Sequence, residues 1–435
     1  MSPFLLVLAV RPALAAEPEL ELGGNLKLFH LSSYPADNDL FAASVANGTA
    51  FLNDFPMKDD TVTAQSTVQG LLTSRLTADL VVGIFQFSVH PQLTIQPTQA
   101  GSGLSIAQTG IGIPEAVDLS WEVVDDDGSV VQLRADRLSA RVDLGPARLT
   151  LGRQAITFGH GVLFTPLDLV NPFFPTAVDQ EYKPGVDALR GDVFFGMGGQ
   201  ATVASAYRGD WESAGLVHAL YAQQTLGLWD VGLFGSVNQG DVVGGLSAAG
   251  SIGPVSLHAD ASVTAPGAVL DTTDPGDPFV RAVVGAQGNV TTKTALLAEV
   301  YIQTNGETDP SSYLTQITDD RYARGEMWLL GRSYAGLSVS QELTPLLAGS
   351  VFTLANLEDS SALLGPGLTW NVADNVSANM GAYIGLGERP ENYQVEDHDT
   401  VFEAYDALTE ISADPFNSEF GLVPTTVFAS LQAWY

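Results

Sequence analysis

Apolar residues fall on every second position at the end of the chain. Val427, Ala429, Leu431, Ala433 and Tyr435 interleave there with a set that includes Ser430 and Gln432. A period of two predicts a β-strand with one apolar face. The same rhythm predicts strands over 20–33, 68–80, 83–94, 130–144, 147–158, 186–195, 200–207, 215–224, 228–237, 246–252, 255–264, 279–288, 293–304, 327–343, 346–356, 363–372 and 375–386. With the C-terminal strand the set numbers eighteen, sixteen being the alternative. A strand on the final residues has an open edge, which a closed barrel covers with the first strand.

The connections sort by length. Tight ones, such as Gly145-Pro146, Gly253-Pro254, Thr344-Pro345 and Ala373-Asp374, alternate with long ones around 34–64, 97–129, 159–184, 265–278, 305–326 and 387–424. Short periplasmic turns and long outer loops distinguish transmembrane barrels, and a propeller or solenoid would not separate its connections in this way. The expected fold is therefore all-β: a transmembrane antiparallel β-barrel with both termini in the periplasm and 17–435 as one domain. Along 137–144, Leu138, Ala140, Val142 and Leu144 form a lipid face against Arg137, Ser139, Arg141 and Asp143. Trp229, Trp328, Trp370 and Trp434 near strand ends suit the aromatic girdles of such barrels. Leu149 and Leu151 would carry Arg153 into the bilayer, so a bulge at Gly152 is expected to turn it inward.

Composition agrees with this pattern. The chain has 435 residues, 44 Gly, no Cys and a net charge of −32, yet only 16% of its residues are charged. Its mean hydropathy is +0.14, high for so acidic a chain. No apolar run reaches the ~20 residues of a membrane helix, whereas alternation hides lipid-facing residues among lumen-facing ones. Phe4–Val10 followed by Ala13-Leu14-Ala15 has the form of a secretory signal, so residues 1–16 are expected to be cleaved. Absence of Cys suits an oxidising compartment. The negative charge argues against nucleic acid as a partner.

The connection after 147–158 departs from alternation. Leu151-Gly-Arg-Gln154 leads into His160-Gly-Val-Leu-Phe-Thr-Pro-Leu-Asp-Leu-Val-Asn-Pro-Phe-Phe-Pro175 and returns through Asp179-Gln-Glu-Tyr-Lys-Pro-Gly-Val-Asp-Ala-Leu-Arg190. A 26-residue loop over 159–184, rich in Pro and aromatics, must pack on something, and a barrel offers its interior. Seven of the 18 Lys and Arg lie nearby: Arg134, Arg137, Arg141, Arg148, Arg153, Lys183 and Arg190. Asp168, Asp179, Glu181 and Asp187 share the window. Opposed charges across a water-filled gap select polar solutes, but the same pairs could simply tie a loop to a wall. The candidate constriction residues are Arg137, Arg141, Arg153, Asp168, Asn171, Asp179, Glu181, Lys183, Asp187 and Arg190.

Over Arg148–Arg190 the chain resembles outer-membrane substrate porins, in particular the alginate-export-type family. Glu342-Leu-Thr-Pro345, Ala373-Asp-Asn375 and Ser418-Glu-Phe-Gly421 resemble it more loosely. The resemblance implies an eighteen-stranded barrel with a loop folded into its lumen. The expected activity is passive diffusion of small hydrophilic solutes or ions through the narrowed lumen, without cofactor or metal. The expected surroundings are outer-membrane lipids and lipopolysaccharide, with the barrel assembly machinery reading the C-terminal strand. Acidic outer stretches such as Asp125-Asp-Asp127, Glu358-Asp359 and Glu396-Asp397 favour cations at the mouth, which conflicts with a polyanionic cargo. They lack the alternating ligands of a calcium loop. Thr400-Val-Phe-Glu403 has the spacing of a helix capping box.

Two rivals are weighed. An adhesin or structural barrel would use the long acidic loops. A barrel hydrolase would need more than His30-Leu-Ser32, which share one strand face with Leu26 and Leu28 and have no identifiable acid.

Overall fold

The computed structural model describes residues 17–34, 66–97, 113–124, 129–171, 181–269, 276–313, 316, 319–323, 325–388 and 418–435. The expected secretory signal, Asp179, the capping box at 400–403 and several acidic stretches lie outside them. The strands are β1 (Glu19–Tyr34), β2 (Thr67–Val82), β3 (Phe85–Pro97), β4 (Ser120–Val124), β5 (Ser129–Asp143), β6 (Ala147–Gln154), β7 (Val186–Phe195), β8 (Gly199–Tyr207), β9 (Leu216–Leu226) and β10 (Trp229–Asn238). They continue as β11 (Asp241–Ile252), β12 (Val255–Ala265), β13 (Phe279–Thr291), β14 (Thr294–Gln303), β15 (Ser333–Thr344), β16 (Leu347–Asn356), β17 (Ala362–Ala373), β18 (Val376–Leu386) and β19 (Thr425–Trp434).

Each strand pairs antiparallel with its neighbour in sequence, except that β3 passes over β4 to pair with β5. β19 then closes on β1, from Asn25 opposite Trp434 to Tyr34 opposite Thr425. Gly24 and Tyr435 exchange both backbone hydrogen bonds at the seam. The wall is thus a closed antiparallel barrel of eighteen strands, with β4 as an added short strand. β4 pairs with β5 over Val130–Arg134, along the edge that β6 leaves vacant when it ends at Gln154. Closure leaves no edge with unpaired backbone groups, which a strand wall in lipid requires.

The two faces separate as expected of a membrane barrel. Leu26, Leu28, Leu149, Leu151, Leu189, Val231, Leu233 and Leu431 are exposed on the outside, while Lys27, Arg75, Thr150, Thr202, Ser247 and Ser430 are buried toward the lumen. In β5 the lumen face changes parity. His90 and Pro91 of β3 stand opposite Arg137 and Ala135, so Asp136 is an extra residue in the ladder. Pro91 has no N–H to give the ladder at that point. The bulge puts Gln132 and Arg134 inside above it and Arg137, Ser139 and Arg141 inside below it.

Several expectations need correction. The strand expected over 147–158 stops at Gln154, and that over 327–343 begins only at Ser333, because both surplus segments turn into the lumen. β11 starts at Asp241 rather than at 246. Val242-Val243-Gly244-Gly245 breaks the alternation by which a strand is recognised. Its link to β10, Gln239-Gly240, is a two-residue turn with φ of 49° and 96°, the geometry of a tight hairpin. It lies at the rim of the long loops, so tight connections are not confined to the opposite rim. Trp229 and Trp370 share the outer face with Val231 and Leu368. Trp328 and Trp434 do not form a girdle: Trp328 stacks on Phe164 and Trp434 reaches Glu181, both inside.

Candidate constriction

The chain leaves the wall at the end of β6. Gly152 has φ +111°, a left-handed conformation that only glycine adopts without strain. The pairing register runs unbroken through it, so backbone twist rather than an inserted residue redirects the chain. Residues 155–171 leave the wall for the lumen, and 181–185 lead back from it to β7. Ile156, Phe158, Leu167, Leu169 and Val170 pack against the β7–β11 wall. That wall presents Ala188, Ala204, Ala206 and Ala219, small side chains that let a second backbone approach. A Cβ on Gly245 would come within 2.5 Å of Leu167, and one on Gly336 within 2.5 Å of Leu163.

The tip of the loop meets the opposite wall. Phe164 stacks on Tyr301, with ring centroids 4.8 Å apart and planes within 4°. Asp260 on β12 accepts the backbone N–H groups of His160 and Gly161, both at 2.7 Å. Glu299 on β14 accepts those of Val162, Leu163 and Phe164 at 2.7, 2.9 and 3.0 Å. Five consecutive amides thus end on two buried wall carboxylates, and His258 holds Glu299 from the other side at 2.6 Å. Such charge-assisted bonds are roughly twice as strong as neutral ones.

The return limb is fastened by the predicted residues. Lys183 donates to Asp168 at 2.6 Å, to the Ile156 carbonyl at 2.7 Å and to the Thr157 hydroxyl at 2.9 Å. Burial pushes the Asp168 carboxyl up and the Lys183 ammonium down from their ordinary ranges, so each depends on the other for its charge. Asn171 donates to the Pro184 carbonyl. Arg137 donates to the Lys183 carbonyl and, at 2.8 Å, to Asp136. The Tyr182 ring lies beneath the Arg75 guanidinium, 3.6 Å from its centroid, with Arg137 at 4.8 Å. Glu181 accepts from Lys27 at 2.5 Å and from the Trp434 indole at 2.9 Å.

Arg153 and Asp187 stand elsewhere. They form a bidentate pair, 2.9 Å on each arm. Arg153 is 1% exposed, and its remaining donors go to Glu115 and to the Ala135 and Val117 carbonyls. Asp187 accepts the Ala116 and Val117 amides. This cluster holds 113–119 on the wall above β6. Arg141 and Arg190 share a cross-strand row with Thr150 between them. Paired with Asp143 and Asp192, they keep about a third of each side chain exposed, as does Arg148. The ten candidates therefore divide into loop fasteners, wall ties and a half-exposed basic row, and Asp179 lies outside the described residues.

Sequence reasoning missed Asp260, Glu299, His258, Lys27 and Tyr182. A signal for the first three was present. His258, Asp260, Ser262 and Thr264 alternate with Leu257, Ala259, Ala261 and Val263, and a lone Glu299 inside Leu296-Leu-Ala-Glu-Val300 can only face a lumen.

Two further segments fold inward at the long-loop rim. Gln303 donates to the Leu329 and Gly331 carbonyls, both at 2.8 Å. Glu419 accepts from Tyr334 at 2.5 Å, Asn356 at 2.7 Å and the Leu330 amide at 3.1 Å. Burial pushes the Glu419 carboxyl up to about 7 against the pull of these donors, with Asp359 adding to the rise. A carboxyl whose pKa is raised on folding binds its proton more tightly in the native state. Stability therefore falls as pH rises from the unfolded value, ~4.3, and levels off above about 7. Denaturation midpoints measured from pH 4 to pH 8 should show this slope, and Glu419→Gln should flatten it; an equally steep slope in the variant would refute the assignment.

No family model matches the chain, and no curated protein matches it. Among solved structures it is similar to OccAB3 of Acinetobacter baumannii, with 7% identity and a TM-score of 0.53 over 96% of this chain and 99% of that one. OccK5 (OpdH) of Pseudomonas aeruginosa gives 9% and 0.53 over 95% and 97%. OccK9 (OpdG) of the same organism gives 11% and 0.52 over 96% and 98%. At these identities the likeness shows the fold, that of outer-membrane porins. These neighbours do not carry the finer resemblance to alginate-export-type proteins.

Proposed function

We propose that the protein is an outer-membrane porin that passes small hydrophilic solutes or ions by passive diffusion through a lumen narrowed by the 159–184 loop. The observation that carries this reading is a closed barrel, apolar outside and polar within, whose long inward loop is fastened to both walls. A loop so anchored leaves a restricted aqueous path rather than a lipid-like core. The half-exposed row of Arg141, Arg148 and Arg190 offers charge to a passing solute on the short-turn side. Arg137, Asp168, Asn171, Glu181 and Lys183 set the shape of the path by holding the loop. On this reading residues 1–16 are a cleaved signal, 17–435 form one domain, both termini are periplasmic, and lipopolysaccharide and the barrel assembly machinery are its partners.

The alginate-export-type relation is the finer reading, and a polyuronate cargo would follow from it. The acidic stretches oppose such a cargo. Neither rival gains from the site. His30 and Ser32 lie 2.9 Å apart, but their strand face is the outer one with Leu26 and Leu28, and the acid of a triad is not among their partners. The test is planar-bilayer recording of the purified protein. Stable conductance steps that grow on deletion of 165–180 are expected. Electrical silence of both proteins, combined with loop-dependent attachment to cells, would favour the adhesin instead.

A further inference from the structure

Three successive short turns carry apolar tips. They join β7 to β8 over 196–198, β9 to β10 over 227–228 and β11 to β12 over 253–254. No charged residue occurs in 193–200, 224–229 or 251–256. The next three short turns differ. Lys293, Glu342 and Asp374 stand at or beside the tips of β13–β14, β15–β16 and β17–β18. Lys293 and Glu342 pair at 3.3 Å with about half of each side chain exposed. Glu19 and Glu21, at the exposed start of β1, extend this charged arc past β19.

The apolar tips project into the surroundings. Met197 is 91% exposed, Leu228 76%, Ile252 62% and Leu226 60%. Turns are ordinarily built from polar residues that tolerate left-handed backbone. Here Gly227 and Gly253, with φ of +69° and +60°, supply that conformation, so turn geometry does not call for the leucines and the methionine. An exposed apolar patch spread over three hairpins marks an interaction surface. Strand alternation makes it continuous with the lipid-facing wall. Phe195 shares its face with Leu189, Leu226 with Leu220, Trp229 with Leu233 and Ile252 with Leu246.

We propose that this arc of turns is immersed in the lipid leaflet at the short-turn rim, so that the barrel sits with its β7–β12 side deeper in the bilayer than the charged arc from β13 to β1. The polar groups of the arc fit that setting, because they satisfy one another. Gln224, on the outer face of β9, donates to the Met197 carbonyl at 2.9 Å, and Thr225 donates to Asp230 at 2.6 Å. Backbone and side-chain groups satisfied within the protein are what hydrocarbon demands. A protein partner would instead look for a polar rim and open hydrogen-bonding groups around an apolar centre. Trp229 lies where interfacial tryptophans gather. The proposal rests on the chain being a membrane barrel and does not need it to conduct.

The chain has no Cys, so single thiols can carry a small fluorophore. Probes at Met197→Cys, Leu228→Cys and Ile252→Cys are compared with Lys293→Cys and Asp374→Cys in phosphatidylcholine vesicles. Acyl chains brominated near the headgroup should quench the first three severalfold more than the last two, and aqueous iodide should do the reverse. Equal quenching at all five sites would overturn the immersed arc. So would shielding of the first three from both quenchers, which would mean that a second copy of the chain covers them. Leu233→Cys, on the outer wall, separates the two levels of the argument. If brominated lipid leaves Leu233→Cys unquenched, the membrane barrel itself falls; if it quenches Leu233→Cys and spares the turns, only the immersed arc falls.

Discussion

Single-channel conductance should rise severalfold in the double variant Asp260→Ala/Glu299→Ala, with flickering between levels where the parent shows one. These carboxylates accept the five amides from His160 to Phe164. Removing Glu299 alone orphans three amides, at roughly 1–3 kcal/mol each if they stay buried. Against that stand the apolar contacts of the tip, chiefly Phe164 between Tyr301 and Trp328, worth about 1.5–3 kcal/mol per buried side chain. The terms are comparable for the single variant, so its tip should leave the wall part of the time. With five amides orphaned the balance tips decisively, and the loop should swing off β12–β14. Glu299→Gln should have a smaller effect than Glu299→Ala: its one amide oxygen can still accept from Leu163 and Phe164, but the NH2 that replaces the other oxygen cannot accept from Val162. If the double variant conducts as the parent does, and a protease cuts within 155–171 no faster, the aromatic stack holds the loop and the carboxylates do not.

How much of this was legible follows from what each feature needs. Strand periodicity is a local property, and the eighteen staves follow from it, as does a packed loop over 159–184 from its Pro and aromatic content, though not the early departure of 155–158 from the wall. The bulge at Asp136 was not legible. It depends on Pro91 in the neighbouring strand, which periodicity within β5 cannot register. β4 escaped notice because it fills a gap created when β6 ends early, and that end depends on the backbone angle of Gly152. The charge partners were hardest. Lys183 could be paired with Asp168, Asp179 or Asp187 by sequence, and only the crossing of the lumen selects Asp168. Arg153, expected at the constriction, instead meets 113–119, which no spacing argument places beside it. Asp260 and Glu299 were within reach, because an isolated carboxylate at lumen parity on an apolar strand needs a reason.

The loop base should fail more severely than its tip. Lys183→Met should destabilise the fastened loop by about 3–5 kcal/mol, the usual result of removing one partner of a buried pair. Asp168 is then left as a buried carboxyl without its cation, and one of its oxygens, Oδ1, is unpartnered even in the parent. Burial already pushes its pKa up, so in the variant it takes a proton as the pH falls. Protonation removes the uncompensated charge, and the deficit should shrink toward acid pH and be largest at neutral pH and above. Asp168→Asn should cost less. Lys183 keeps the Ile156 carbonyl and the Thr157 hydroxyl, and an asparagine oxygen can still accept from it. In Asp168→Leu/Lys183→Met the charges disappear together. Much of the loss should return, but not all of it, because the Ile156 carbonyl and the Thr157 hydroxyl lose their donor. Protease cutting within 155–171 in lipid vesicles, with urea midpoints for the parent, Asp168→Leu, Lys183→Met and the double variant, supplies the double-mutant cycle. Additive effects of the two single changes would mean that the pair does not act as a unit, and the loop base would then have to be held by Ile156, Phe158 and Leu169 packing on the alanine wall.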